Sequence, residues 1–189
     1  AGVFAGEYAL SESTVDGFTA GMWACTTAGG ESMPVVNSRV TLDNGADVTC
    51  TITNTAQQST LTLVKQVVND DGGTAVVGDW TLTATGPTEG VTGATGDEAV
   101  TGAAVAIGSY TLSESGPAGY TAGDWACVAG ADTVPVADDA LTIALGQDVT
   151  CTIVNDDQPA LLTLRKVVEN GTTGATQTPA DWTLTATPQ

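Results

Sequence analysis

The chain has 189 residues, with 22 Asp and Glu against four Lys and Arg, no His, and a formal charge of −18. That balance excludes the Lys/Arg-rich surfaces that neutralise nucleic-acid phosphates and disfavours anionic membranes, while Ca²⁺ association stays open. Apolar residues make up 42%, mostly Val, Ala, Leu and Ile amid abundant Thr and Gly, which fits a β-rich core better than disorder.

No stretch is long and apolar enough to span a bilayer as a helix. With neither an initiator Met nor a leader-like segment, the sequence reads as a mature or excised piece of something larger.

Taken in chain order, the segments alternate as strands do. In EYALSES (7–13), Tyr8, Leu10 and Glu12 share a face, and in VTCTITN (48–54), Val48, Cys50, Ile52 and Asn54 do. In LTLVKQVVND (61–70), Leu61, Leu63, Lys65 and Val67 share a face, so a lysine points the same way as the leucines. NDDGG (69–73) is a turn, GDWTLTAT (78–85) a strand, and the Gly/Thr-rich 86–103 a loop. AVAIGSYTLSE is strand material, GPAGY a turn, DWACV a strand, and ALTIALGQDVTCTIVN a hairpin. No segment keeps helical periodicity over three turns.

The chain repeats itself at an offset of 101 or 102 residues. EYALSESTVDGFTAGMWAC (7–25) aligns with SYTLSESGPAGYTAGDWAC (109–127), and VTCTITN with VTCTIVN (149–155). LTLVKQVVN aligns with LTLRKVVEN (162–170), and DWTLTAT recurs at 79–85 and 181–187. The expected architecture is all-β, with tandem Ig-like or prealbumin-like β-sandwich domains of about 101 residues. Residues 58–158 make a complete repeat, 1–57 the later strands of one, and 159–189 the opening strands of another.

Cys25 and Cys50 occupy the repeat positions of Cys127 and Cys151. Without His or CxxC spacing a zinc site is disfavoured. A pair bridging two strands is the simple expectation, with two buried free thiols as the alternative. Disulfides would place the protein outside the cytosol.

Strand parity puts one Lys, one Glu and one Asn on the apolar faces of three strands in the complete repeat: Lys65, Glu114 and Asn155. Buried polar groups must satisfy one another. One solution is a Lys–Glu ion pair with the Asn hydrogen-bonded to it. The other is covalent. Desolvation lowers a lysine pKa and raises a glutamate pKa, so a neutral amine can attack the Asn carboxamide while the Glu shuttles protons and ammonia leaves.

YTLSESGPAGY (110–120) resembles the Tyr-x-Leu-x-Glu, Pro-x-Gly-Tyr motif of Cna B-type or SpaA-like prealbumin-fold domains of bacterial pilins and surface adhesins. The resemblance covers the full repeat. It implies an intramolecular isopeptide bond between Lys65 and Asn155, assisted by Glu114. The first copy departs from the motif, with Val15 for Pro117 and Phe18 for Tyr120, and the cysteine pairs are not a general family feature.

Lys166 lies in the last segment, and Glu12 and Asn54 in the first. Two explanations stand: a cut through a longer array, or completion of one chain's start by the end of the next. In the second, Lys166 bonds to Asn54 of a neighbouring subunit, assisted by Glu12, and the partner is the protein itself in a head-to-tail homopolymer.

The Asp runs at 70–71, 138–139 and 156–157 lack a recognisable Ca²⁺ loop, so no cofactor is expected beyond a weak possibility of Ca²⁺. Trp23, Trp80, Trp125 and Trp182 sit at repeat-equivalent places and suit core anchors. The Asn170-Gly171-Thr172 sequon is too common a pattern to carry weight. Nothing points to substrate turnover beyond a single self-modification. The expected role is an extracellular structural stalk, fibre or filament on a microbial surface. The alternative is an adhesin module for a host, matrix or cell-surface ligand that the residues do not identify.

Overall fold

The protein is described from a computed structural model, in which residues 2–188 are described. Its first part forms β1 (Gly6–Ala9), β2 (Phe18–Ala20), β3 (Ala24–Thr27), β4 (Ser32–Met33), β5 (Arg39–Leu42), β6 (Val48–Thr51) and β7 (Asn54–Ala56). Then come β8 (Ser59–Val68), β9 (Thr81–Thr85), β10 (Val91–Gly93), β11 (Ala103–Val105) and β12 (Gly108–Ser115). The last strands are β13 (Tyr120–Ala122), β14 (Ala126–Ala129), β15 (Asp132–Val134), β16 (Ala140–Ile143) and β17 (Asp148–Asp157).

Strands β8 to β17 build a sandwich. One sheet runs β10-β9-β12-β16, and the other β11-β8-β17-β14-β15, with β13 also pairing β17. The first and last long strands, β8 and β17, lie side by side and parallel, from Thr60 opposite Asp148 to Val68 opposite Asp156. Their alternation sends Leu61, Leu63 and Lys65 inward with Val149, Cys151, Ile153 and Asn155, and all are buried. Against them pack Trp80, Leu82, Ala84, Tyr110, Leu112, Leu141 and Ile143 from the facing sheet. Gly116 is required by this packing, because a Cβ there would stand 2.3 Å from Trp80 Cδ1.

The first seven strands reproduce part of that plan. β1 pairs β5, β2 pairs β7, and β3 pairs both β4 and β6, as β12 pairs β16, β13 pairs β17, and β14 pairs β15 and β17. Tyr8 lies opposite Val40 as Tyr110 lies opposite Leu141. Even the tight turns agree. Asn37-Ser38 and Asp138-Asp139 both hold left-handed φ values, the pair of conformations that two-residue hairpins favour.

Within residues 2–56 no strand takes the places of β8 and β9. The outcome is incomplete burial. Cys25 and Val40 are buried there, whereas Tyr8, Leu10, Trp23, Val48, Cys50 and Ile52 are only half-buried.

Two sequence expectations change. The presumed loop 86–103 contains β10 and a 3₁₀ turn, Glu98–Val100, whose Val100 is fully buried. The edge of β9 recruits a three-residue strand that Gly and Thr richness conceals. Residues 161–188 form no strand, and Leu161, Leu162, Leu164, Trp182 and Leu184 are exposed. A strand exists only through a partner's hydrogen bonds, and this segment has none among the described residues.

Both cysteine pairs are disulfides, Cys25–Cys50 and Cys127–Cys151, joining directly opposite residues of adjacent strands. Replacing Cys127 and Cys151 together by Ala is expected to lower unfolding free energy by about 3 kcal/mol, read from urea denaturation with midpoint and slope fitted together, since the uncrosslinked unfolded chain exposes more surface and steepens the slope.

Candidate functional site

The three inward polar groups of the sandwich meet. Lys65 comes from β8, Asn155 from the adjacent β17, and Glu114 from β12 in the facing sheet. In the β8–β17 register Ile153 faces Lys65 and Asn155 faces Val67, which makes Lys65 and Asn155 diagonal neighbours on one inner face.

The Lys65 side chain is fully buried, and its Nζ lies 2.8 Å from Glu114 Oε2. Asn155 Nδ2 donates to Glu114 Oε1 at 2.6 Å. The Lys–Glu contact is close enough for an ion pair, yet Nζ, Oε2 and Asn155 Oδ1 all lack an aligned hydrogen-bond partner. The contact is an ion pair of poor alignment.

Trp80 closes the site, its ring centroid 5.0 Å from Nζ, and it stacks edge-on against Tyr120. Burial strips water from the ammonium and pushes the Lys65 pKa down. The hydrogen-bonding and charge effects of Glu114 oppose this without overcoming it. A lysine with a lowered pKa beside a carboxamide and a carboxylate is a candidate nucleophile with its proton carrier in contact.

The same constellation is divided elsewhere. Asn54 Nδ2 donates to Glu12 Oε2 at 3.1 Å, both residues being exposed. Lys166 Nζ sits 4.7 Å from the Trp182 ring, as Lys65 does over Trp80. The structure thus gathers Lys65, Glu114 and Asn155, and leaves Glu12–Asn54 and Lys166 on separate segments. Sequence reasoning did not place Trp80 in the site. The recurrence of a Trp after each strand lysine was the available signal.

Among the acidic runs, Asp70, Asp156 and Asp157 bring carboxylate oxygens within 4.8 Å of one another. Asp157 is buried and accepts from the backbone N–H groups of Asp70, Asp71 and Gly73, so it anchors the turn after β8. Tyr120 adds a second clamp: its hydroxyl donates to Asn69 Oδ1 at 2.6 Å and accepts from Ala75 N–H at 3.0 Å.

The class of protein is an all-β sandwich domain, here with a disulfide and a buried Lys–Glu–Asn cluster contributed by three strands. The chain belongs to the prealbumin-like fold domain family, which matches residues 1–52, 56–153 and 157–189. A structure of the major pilin protein (T3.2) from Streptococcus pyogenes serotype GAS13637 is similar at 15% identity and a TM-score of 0.40. The similarity covers 80% of this chain and 66% of that one. No curated protein matches the chain.

Glu114→Ala would leave a buried ammonium unpaired, and a loss of about 3–5 kcal/mol is expected by urea denaturation. A pH effect should appear in Asn155→Ala, where Lys65 keeps a titratable amine. The folded-state pKa of Lys65 lies below its ordinary 10.5, so the unfolded chain binds the proton more tightly. The Lys65 contribution to stability should therefore be least favourable below the depressed pKa and improve as pH rises from it towards 10.5. Urea midpoints across that range, compared with Lys65→Met in the same background, check the sign.

Proposed function

We propose that this chain is a load-bearing part of an extracellular stalk or pilus-like fibre on a microbial surface. Residues 58–158 form one unit closed by a Lys65–Asn155 isopeptide bond. The observation that carries this is a fully buried lysine whose Nζ contacts Glu114 while Glu114 also holds the Asn155 carboxamide. The disulfides support an oxidising, extracytosolic setting.

The step balances without a cofactor. Glu114 takes a proton from the Lys65 ammonium, freeing the amine. Nζ attacks Asn155 Cγ, a Cγ–Nζ bond forms, and the Cγ–Nδ2 bond breaks. Glu114 returns that proton to the departing nitrogen, which leaves as ammonia, and takes up the second proton that Nζ sheds in becoming an amide N–H. Turning the carboxamide over presents Oδ1 to Glu114, where a protonated carboxyl polarises the carbonyl.

The mechanical consequence follows from topology. Lys65 is near the chain's entry to the sandwich and Asn155 near its exit, on parallel neighbours. A covalent bond between them lets tension pass from one end to the other without loading the rest of the sheets. Such a unit suits a stalk.

Intact mass of the denatured, unreduced protein is expected to fall short of the disulfide-bonded sequence mass by ammonia, with Lys65 and Asn155 recovered in one cross-linked peptide. Lys65→Arg, Glu114→Ala and Asn155→Ala should each abolish that cross-link. The plain sequence mass, less only the disulfide hydrogens, would overturn the bond.

A further inference from the structure

Backbone N–H groups along β8 point alternately to its two edges. Thr60 N–H points to the β17 side, donating to Gln147 O at 3.0 Å, so the N–H of Lys65 faces the opposite edge. On that edge β11 pairs only Ser59 to Leu61, and β8 runs on past it. A buried N–H left there without an acceptor would be costly. Thr95 fills the place, its hydroxyl oxygen accepting from Lys65 N–H at 2.6 Å.

Thr95 belongs to the segment that carries the chain from one sheet to the other. Residues 94–102 leave β10, at the edge of β9, and enter β11, at the edge of β8. They cross the side of the sandwich next to Lys65. Contacts on either side of Thr95 fix this crossing. Asp97 closes a turn around it, donating its N–H to Ala94 O at 3.0 Å and accepting from Ala94 N–H at 2.8 Å through its carboxylate. Gly96 supplies the left-handed backbone of that turn, with a φ of 93°. Further on, Val100 is fully buried in the core, and Gly102 N–H donates to Thr62 Oγ1 at 2.9 Å.

The two reacting residues are not held alike. Asn155 lies between Val67 of β8 and Ala122 of β13, with a strand on each side. Lys65 has a strand on one side only, opposite Ile153, and on the other it has the Thr95 hydroxyl. We propose that Thr95 is a positioning residue for the Lys65–Asn155 bond: by holding the Lys65 backbone at this unpaired edge, it keeps Nζ directed at the Asn155 carboxamide. The proposal rests on the isopeptide chemistry given above and leaves its bond changes as they stand. Thr95 touches neither reacting atom. It acts through the backbone from which the lysine projects, and a displacement of about 1 Å in such a site costs about a hundredfold in rate.

Intact mass of the denatured full chain, taken at intervals after a short pulse of synthesis, follows the loss of ammonia. Thr95→Val keeps the shape and removes the acceptor, and it is expected to slow cross-linking by about tenfold or more. Thr95→Ala removes the same acceptor without the added methyl and gives the same readout should the valine variant not fold. Thr95→Ser restores the acceptor and should restore the rate. Thr62→Val is the control, because it removes the acceptor of Gly102 N–H at the far end of the same crossing. Its rate should stay within about twofold of the parent chain. Urea midpoints in the Asn155→Ala background, where no cross-link forms, give the stability cost of each substitution. Cross-linking at the parental rate in both Thr95→Val and Thr95→Ala would overturn the proposal. So would equal slowing by Thr62→Val at a matched stability cost, which would make Thr95 one structural contact among others. A parent chain that never falls short by ammonia would instead refute the isopeptide reading itself, and the role of Thr95 with it.

Discussion

A lysine ammonium held out of water, against a carboxylate and a carboxamide, is the interaction on which the complete sandwich turns. Burying Lys65 costs solvation that one poorly aligned ion pair does not restore, and three polar atoms in the site lack aligned partners. A hydrophobic residue of similar size would pack there without that cost. In the proposed isopeptide chemistry, amide formation removes the charge and the unpartnered amine together.

The site depends on a pairing that spans nearly the whole unit. β8 and β17 are parallel neighbours although about 90 residues separate them, and such contacts form late because loop closure precedes their reward. The disulfide Cys127–Cys151 organises β14 and β17 through a much shorter loop, and Asp157 and Tyr120 clamp the turn that follows β8. Covalent and polar constraints thus converge on β17, the strand that positions Asn155.

Residues 2–56 repeat the later strands of the sandwich with no counterpart of β8 or β9 paired to them among the described residues. Residues 2–56 keep their hairpins, turns and disulfide, yet their inward residues stay half-buried, since one face of a sheet alone cannot exclude water. Residues 161–188 keep the turn and the Lys–Trp stack but no strand. The turn and the stack need only neighbours in sequence, whereas ladder hydrogen bonds need a second strand.

Much of this was legible in the amino-acid order. Strand parity alone placed Lys65 with Leu61 and Leu63, Glu114 with Tyr110 and Leu112, and Asn155 with Cys151 and Ile153, because alternation is a property of the local backbone. The repeat offset paired the cysteines. Spacing was silent on β10 and Val100, concealed in a Gly/Thr-rich stretch, and on Trp80 as the lid over the lysine. Above all, only the tertiary structure decided that β8 lies parallel to β17 with Glu114 facing them from the other sheet. Neighbourhood between strands is set by the path of the chain through two layers, and no local period encodes that path.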